Sequence, residues 1–178
     1  MLTCTCGFAF PCASRAINDL VTKTEADKLY KEAIIIADTY AKDLYGSETS
    51  LESVKKQFDI LALYFDSTLW IMNPSGLIVL SSDSPVDVEN PVHVNNFNPA
   101  DNIGGYYKVG NFYGMFEEDV LSVFAPITDG YQVLGYVIIH KSVSELKRLS
   151  EKLLTLSYYL FIILFVLSLQ SRRCGGAQ

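Results

Sequence analysis

The chain carries two histidines and four cysteines, the side chains from which catalysis or metal binding would be built. His93 and His140 lie 47 positions apart, and neither has a Ser, Cys or acid arranged beside it in sequence for nucleophilic chemistry. His140 closes a strand pattern and reads as structural. Cys4, Cys6 and Cys12 sit in the N-terminal segment and Cys174 in the tail, while residues 15–150 have none. A disulfide-stabilised core is therefore excluded. Cys4-x-Cys6 lacks zinc-ligand spacing and has no His nearby. Gly104-Gly105 is not followed by the Lys-Ser/Thr that a phosphate loop needs. Glu117-Glu118-Asp119 could attract a cation, but such a run is more often a solvated turn. The expectation is a protein with no catalytic set, no metal and no cofactor.

Composition narrows the classes further. The 178 residues fit one domain of ordinary size. Fourteen basic against twenty acidic residues give a net charge of −6, which argues against nucleic acid as a partner. With 12 % aromatic residues the chain has enough apolar surface to fold. Its mean hydropathy of +0.21 is high for a domain with 19 % charged residues and calls for a local source.

That source is the C-terminal segment. Leu153 to Ser171 contains no charged residue, with Tyr158 and Tyr159 toward one end and Arg172 and Arg173 closing the other. At ~1.5 Å per residue it comes close to crossing a hydrocarbon core of roughly 30 Å. Core helices seldom run so long without a charge, so a membrane helix is expected. The Arg pair places the C-terminal side in the cytoplasm. Residues 1–171 then hold twelve basic against twenty acidic residues. At the other end, residues 1–14 are uncharged but too short to span a bilayer, and Pro11 suits a helix interior poorly. They read as an incomplete N-terminal hydrophobic anchor, with a poorly formed signal sequence as the rival.

Between the termini, 16–45 reads as one long helix, from Ala26, Leu29, Ala33, Ile36, Ala37, Tyr40 and Leu44 at steps of three and four. Thr49-Ser50-Leu51-Glu52 has the spacing of a capping box before a second helix. Leu69–Met72 and Leu77–Leu80 are strand runs around the turn Asn73-Pro74-Ser75-Gly76. A long connection, 81–105, follows, with a helical turn expected near 92–97. Three more strands are expected at about 106–116, 120–127 and 132–140, the last two forming a hairpin across Thr128-Asp129-Gly130. Both faces of that hairpin carry apolar residues, as in the centre of a sheet covered on two sides. The sum is an α+β domain with five antiparallel strands and helices on one side.

Ser142-Val143-Ser144-Glu145 is a second capping box. Beyond it Leu146, Leu149, Leu153, Leu156, Leu160, Ile163 and Leu167 alternate steps of three and four, the a/d seam of a parallel helix pair. Leu is common in such segments, so chance fills some of these positions. An unbroken seam from water into lipid is what a rigid signalling helix needs.

The long helix, LWIMNPSGLIVLSS, LSVFAPITDGYQVLGYVIIHKSVSELK and the membrane helix together resemble the extracytoplasmic single Cache domain of bacterial sensor histidine kinases. This is a PAS-like domain type, and the resemblance covers about residues 15–170. Related domains serve chemoreceptors and cyclic-dinucleotide enzymes. The resemblance implies an incomplete anchor at 1–14, a sensor domain at 15–141, a juxtamembrane and membrane helix at 142–171 and a cytoplasmic tail at 172–178. It implies a homodimer in the bacterial cell membrane and a two-component signalling role. No kinase region follows, so this chain should phosphorylate nothing and reads as the input half, cut after the second membrane helix. The resemblance also implies a small-ligand pocket between the sheet and its long connection. Its lining candidates are Tyr106, Tyr107, Lys108, Phe124 and Tyr136, with His93 from the connection; Lys108 would suit a carboxylate. A membrane-tethered accessory protein is the rival reading from another class.

Overall fold

The structure, a computed structural model, describes residues 6–41, 51–84, 91–102 and 105–175. The chain forms two units, Thr22–Ser144 and a helical unit made of Met1–Val21 and Glu145–Gln178.

In the first unit, small and branched apolar residues at helical spacing build the packing face of α1 (Cys6–Ile36). Ala26, Leu29, Ala33 and Ile36 are all buried, and the two alanines let the helix backbone approach its neighbours closely. A π-helical turn, Ala37–Ala41, then sets the chain against β4 and β5. Helix α2 (Leu51–Phe65) buries Val54, Phe58 and Phe65 and packs on β1 and β2.

The strands are β1 (Thr68–Met72), β2 (Ile78–Ser81), β3 (Tyr107–Gly110), β4 (Val120–Asp129) and β5 (Gln132–Ser142). They form one antiparallel sheet in the order β2-β1-β5-β4-β3. Strand β5 is therefore central, and its register sorts the side chains. Leu69, Ile71, Leu121, Val123, Ala125, Val137 and Ile139 share one face, and all are buried. Lys141 on that face reaches Glu25 of α1 at 3.4 Å and the Phe65 carbonyl of α2 at 2.9 Å, so this is the helix-covered face. Trp70, Met72, Ser122, Phe124, Ile138 and His140 point to the opposite face, which loops cover.

Several boundaries differ from the sequence reading. Helix α1 begins at Cys6, ten residues before the expected start, and includes Pro11. It gives way to the π turn after Ile36; 42–45 and the expected cap at Thr49-Ser50 lie outside the described residues. Strand β3 stops at Gly110 instead of running to 116. Gly110, Phe112, Tyr113 and Gly114 all have positive φ, which breaks a ladder at once. The helical turn of the connection is at Pro99–Asn102 and not at 92–97, where residues instead pair with the β1–β2 turn. The β4–β5 turn is Gly130-Tyr131, with Gly130 supplying φ 57°.

Helix α3 (Val143–Gly175) follows β5 without a loop. Ser142 caps it, its Oγ accepting from the Ser144 N–H at 3.2 Å. The cap thus engages the second helical residue, where a capping box would engage Glu145. Val143–Ser168 contains an 18-residue window of mean hydropathy 1.6 and is long and apolar enough to cross a membrane. Leu146 and Ser150 are buried, whereas Leu153 and positions 155–168 are exposed all round.

Candidate functional site

The loop-covered face of the sheet is an aromatic cluster built on Trp70. Residue 70 lies in β1 beside the central strand, so its indole stands over β5. Phe116 stacks on it at 5.4 Å and 17°, and Phe112 meets it edge-on at 5.6 Å. His140 joins from β5, with centroids 4.4 Å from Trp70, 4.5 Å from Phe112 and 4.8 Å from Phe116. Phe124, Met72, Val94, Val120 and Ile138 complete the buried set.

Two segments bring the loop residues onto this face. The first is the strap at 92–97, tied to the β1–β2 turn. Val94 N–H donates to the Gly76 carbonyl at 2.8 Å and Ile78 N–H to the Val92 carbonyl at 3.0 Å. Only glycine fits at 76, since its φ is +91° and a Cβ there would stand 2.9 Å from the Val94 oxygen. The second is the 111–116 loop, closed on itself by Met115 N–H to Phe112 O at 3.1 Å and Phe116 N–H to Asn111 O at 3.2 Å. Phe112 and Tyr113 hold left-handed backbone, φ 43° and 56°, which side-chained residues seldom adopt. Burying the Phe112 ring against Trp70 and His140 offsets that strain.

The polar groups of this face are few. Ser122 Oγ lies 2.8 Å from His140 Nδ1, and both residues are buried. Burial pushes the His140 pKa down to about 3, so the ring is neutral. Trp70 Nε1 and His140 Nε2 are buried and have no hydrogen-bond partner among the described residues. The Ser122 hydroxyl is buried in the sheet on the Nδ1 side of the ring. Among the described residues, no group of three His, Cys, Asp or Glu side chains is placed to hold a metal ion.

The residues singled out from sequence divide between the two faces. Phe124 belongs to the cluster, and Tyr136 packs at its margin, 6.0 Å from Phe97, with its phenol pKa raised by burial. Lys108 is exposed at the rim, its Nζ 4.9 Å from the centre of the Tyr113 ring. Tyr107 pairs with Val123 and so lies on the helix side. Tyr106 turns to α1, where its hydroxyl donates to Asp27 and its ring lies 4.7 Å from Tyr30. His93 is exposed, while its neighbour Val94 is buried in the cluster. The sequence reading takes His140 as structural and does not single out Trp70, Phe112, Phe116 or Ser122. Ser122 stands opposite His140 only in the observed hairpin register. Of the seam, Leu146 is buried, and Leu149, Leu153, Leu156, Leu160, Ile163 and Leu167 are exposed.

No protein-family model matches the chain, and no curated protein matches it in sequence. Solved structures do match in fold. The sensor domain of the histidine kinase DctB from V. cholerae superposes with a TM-score of 0.52 at 14 % identity, over 78 % of this chain and 58 % of that one. The chain has a Cache-type, PAS-like fold. The ligand-binding domain of the Campylobacter jejuni chemoreceptor Tlp3 is a more distant likeness. Its complex with L-valine gives a TM-score of 0.45 at 12 % identity, over 79 % of this chain and 64 % of that one. This Cache-type chain thus spans less than two thirds of the length of both solved chains.

Proposed function

We propose that the chain is the input region of a membrane signalling receptor. A small ligand binds on the loop-covered sheet face, and α3 carries the change across the bilayer. The supporting observation is the Cache fold whose central strand β5 leads without a loop into one long, apolar, exposed helix. A change in the sheet or its covering loops then has a direct covalent route into the membrane. The Trp70–His140 cluster gives the ligand a place, since aromatic walls with a few unmatched polar atoms suit small-molecule recognition. Arg172 and Arg173 favour a cytoplasmic C-terminus and hence an extracytoplasmic sheet. Two copies pair along α3, and the output is a histidine kinase of a two-component system.

The test has two parts. The full chain in detergent is screened by thermal shift against organic acids, amino acids, small amides and divalent ions. A binder raises the apparent Tm by mass action. The chain is then fused in register to a histidine-kinase output module, and a single residue is inserted after Leu149. The insertion turns everything beyond it by ~100°, so ligand control of the kinase is lost. No stabilising compound, or ligand control unchanged by the insertion, rejects the reading.

A further inference from the structure

Trp70 Nε1 and His140 Nε2 are the two buried side-chain polar atoms without a partner among the described residues. They belong to rings in edge-to-face contact, centroids 4.4 Å apart. An indole N–H can only donate. The role of the imidazole nitrogen is set by its other nitrogen. His140 Nδ1 is 2.8 Å from Ser122 Oγ, and Ser122 is buried with no other side-chain partner. If Nδ1 carried the proton, the Ser122 hydroxyl hydrogen would have no acceptor. With the hydroxyl donating to Nδ1, that hydrogen is used and the ring proton resides on Nε2. The face then presents two neutral N–H donors and no acceptor for either.

We propose that Trp70 Nε1–H and His140 Nε2–H together bind one carbonyl oxygen of a small uncharged ligand, of the amide or ketone class. This rests on the sensing role proposed above and names the chemistry of its ligand. A carbonyl oxygen has two lone pairs and can accept both hydrogens. The surroundings select against charge. Phe112, Phe116 and Phe124 wall the site with hydrocarbon, and the same burial holds the imidazole neutral, with its pKa near 3. A carboxylate would lose its water there without a buried cation opposite it. Lys108, which β3 aligns with Ser122, is exposed and rests over Tyr113. Access runs through the 111–116 loop, whose Phe112 and Phe116 rings lie on both donor-bearing rings. The Met115–Phe112 and Phe116–Asn111 hydrogen bonds close that loop on itself, and it carries left-handed backbone at Phe112 and Tyr113; opening it separates the Phe112 and Phe116 rings from Trp70 and His140 and uncovers both donors.

The chain has one tryptophan, so Trp70 gives the single indole N–H signal. The full chain, 15N-labelled and in micelles, is titrated with isobutyramide, butanone, and isobutyrate as the charged isostere of the amide. The expected result is a saturable downfield shift of the indole proton with amide and ketone, and binding at least tenfold weaker with isobutyrate. His140→Phe keeps a ring but removes the donor, and weakens amide binding about tenfold. Ser122→Ala, a smaller change, releases the tautomer and weakens it two- to tenfold. No saturable shift with amide or ketone, or equal binding of isobutyrate, overturns the proposal. If a compound from the thermal-shift screen raises Tm without moving the indole signal, this site is wrong and the sensing role stands. If nothing raises Tm and nothing moves the signal, both fall.

Discussion

Ser122 Oγ stands 2.8 Å from His140 Nδ1 on neighbouring strands, in a register that a one-residue bulge has shifted. The β4–β5 hairpin starts with Asp129 opposite Gln132 and Thr128 opposite Val133. At Ile127 the partner becomes Gly135, and every pair beyond is displaced by one. Without the bulge Ser122 would face Ile139, and Leu121 would face His140. The bulge therefore creates the only polar pair buried in the aromatic face among the described residues.

This pairing makes His140 a source of acid sensitivity. The free imidazole titrates near 6.5, but burial lowers the folded value to about 3. Above pH 6.5 the ring is neutral in both states and costs nothing. As pH falls from 6.5 toward 3, the unfolded chain takes up a proton that the folded chain does not. Stability then drops with falling pH, by at most about 1.4 kcal/mol per pH unit from this group. Desolvation by burial sets the direction of the shift. His140→Phe should flatten the curve relative to the parent between pH 4 and 6.5. Tm measured by circular dichroism on both proteins checks it; parallel curves would show that the ring is not held neutral.

A second prediction concerns the tie between α1 and the sheet edge. The Tyr106 hydroxyl donates to Asp27, and that hydrogen bond, followed by burial and the carboxylate charge, raises the phenol pKa from 10.0 to about 12. The folded state keeps this proton more tightly than the unfolded state. The stability it contributes is present below pH 10 and is lost as pH rises from 10 toward 12. Ultraviolet titration of the phenolates should show a late step from Tyr106, beside the delay that burial gives Tyr136. Asp27→Asn should move that step back toward 10, and Tyr106→Phe should remove it. A spectrum that keeps its late step in Tyr106→Phe would assign it elsewhere.

Gly76 supplies the third. Its φ of +91° and the 2.9 Å approach of the Val94 oxygen to a built Cβ leave no room for a side chain. Gly76→Ala should cost about 1–3 kcal/mol and loosen the strap that places Val94 and Phe97 on the cluster. Gly130 is the control. Its φ of +57° is one that Asn adopts, and a Cβ there meets nothing within 4 Å. Gly130→Asn should stay within about 0.5 kcal/mol of the parent. Urea midpoints of the two variants decide it, and equal losses would mean that the strap contact carries no weight.

These contrasts show what the sequence held and what it did not. Apolar spacing located both N-terminal helices, and the Asn73–Gly76 turn and the alternation in β4 and β5 placed the sheet, because each signal is local. Phe124 and Tyr136 came in as lining candidates through the resemblance, and the β4–β5 register puts both on the loop-covered face. Tyr106 does not join them, since it lies just before β3 begins and turns to Asp27 on α1, a contact 79 positions distant. His140 read as a strand end because the strand's true end, Ser142, doubles as the cap of α3. The partnership of Ser122 with His140 depends on a bulge, which leaves no mark in an apolar alternation that runs through both strands. The left-handed turns at Phe112 and Tyr113 carry residue types that disfavour them, so propensity pointed to strand where tertiary packing of Phe112 prevailed.

The last prediction tests pairing along α3. Leu146 is only 2 % exposed, so the seam open to a second copy begins at Leu149, which is 47 % exposed, and continues through Leu153 and Leu156. Beyond Leu156 the exposure is all round, with Tyr158, Phe161 and Phe165 as open as Leu160 and Ile163. Apolarity there selects no face, because lipid tails match leucine. The deciding positions are the first turns, where Glu151 and Lys152 flank Leu149 and Leu153 and water would penalise an unpaired leucine stripe. Single cysteines are placed at Leu149, Leu153, Leu156 and Leu160, with Glu151 and Tyr158 as off-seam controls, in a background lacking the four native cysteines. Oxidation in membrane vesicles should yield several-fold more disulfide dimer at the seam positions than at the controls. A yield that ignores the three-and-four spacing would leave α3 as a lone membrane helix, and signalling would then have to pass by a movement of single helices.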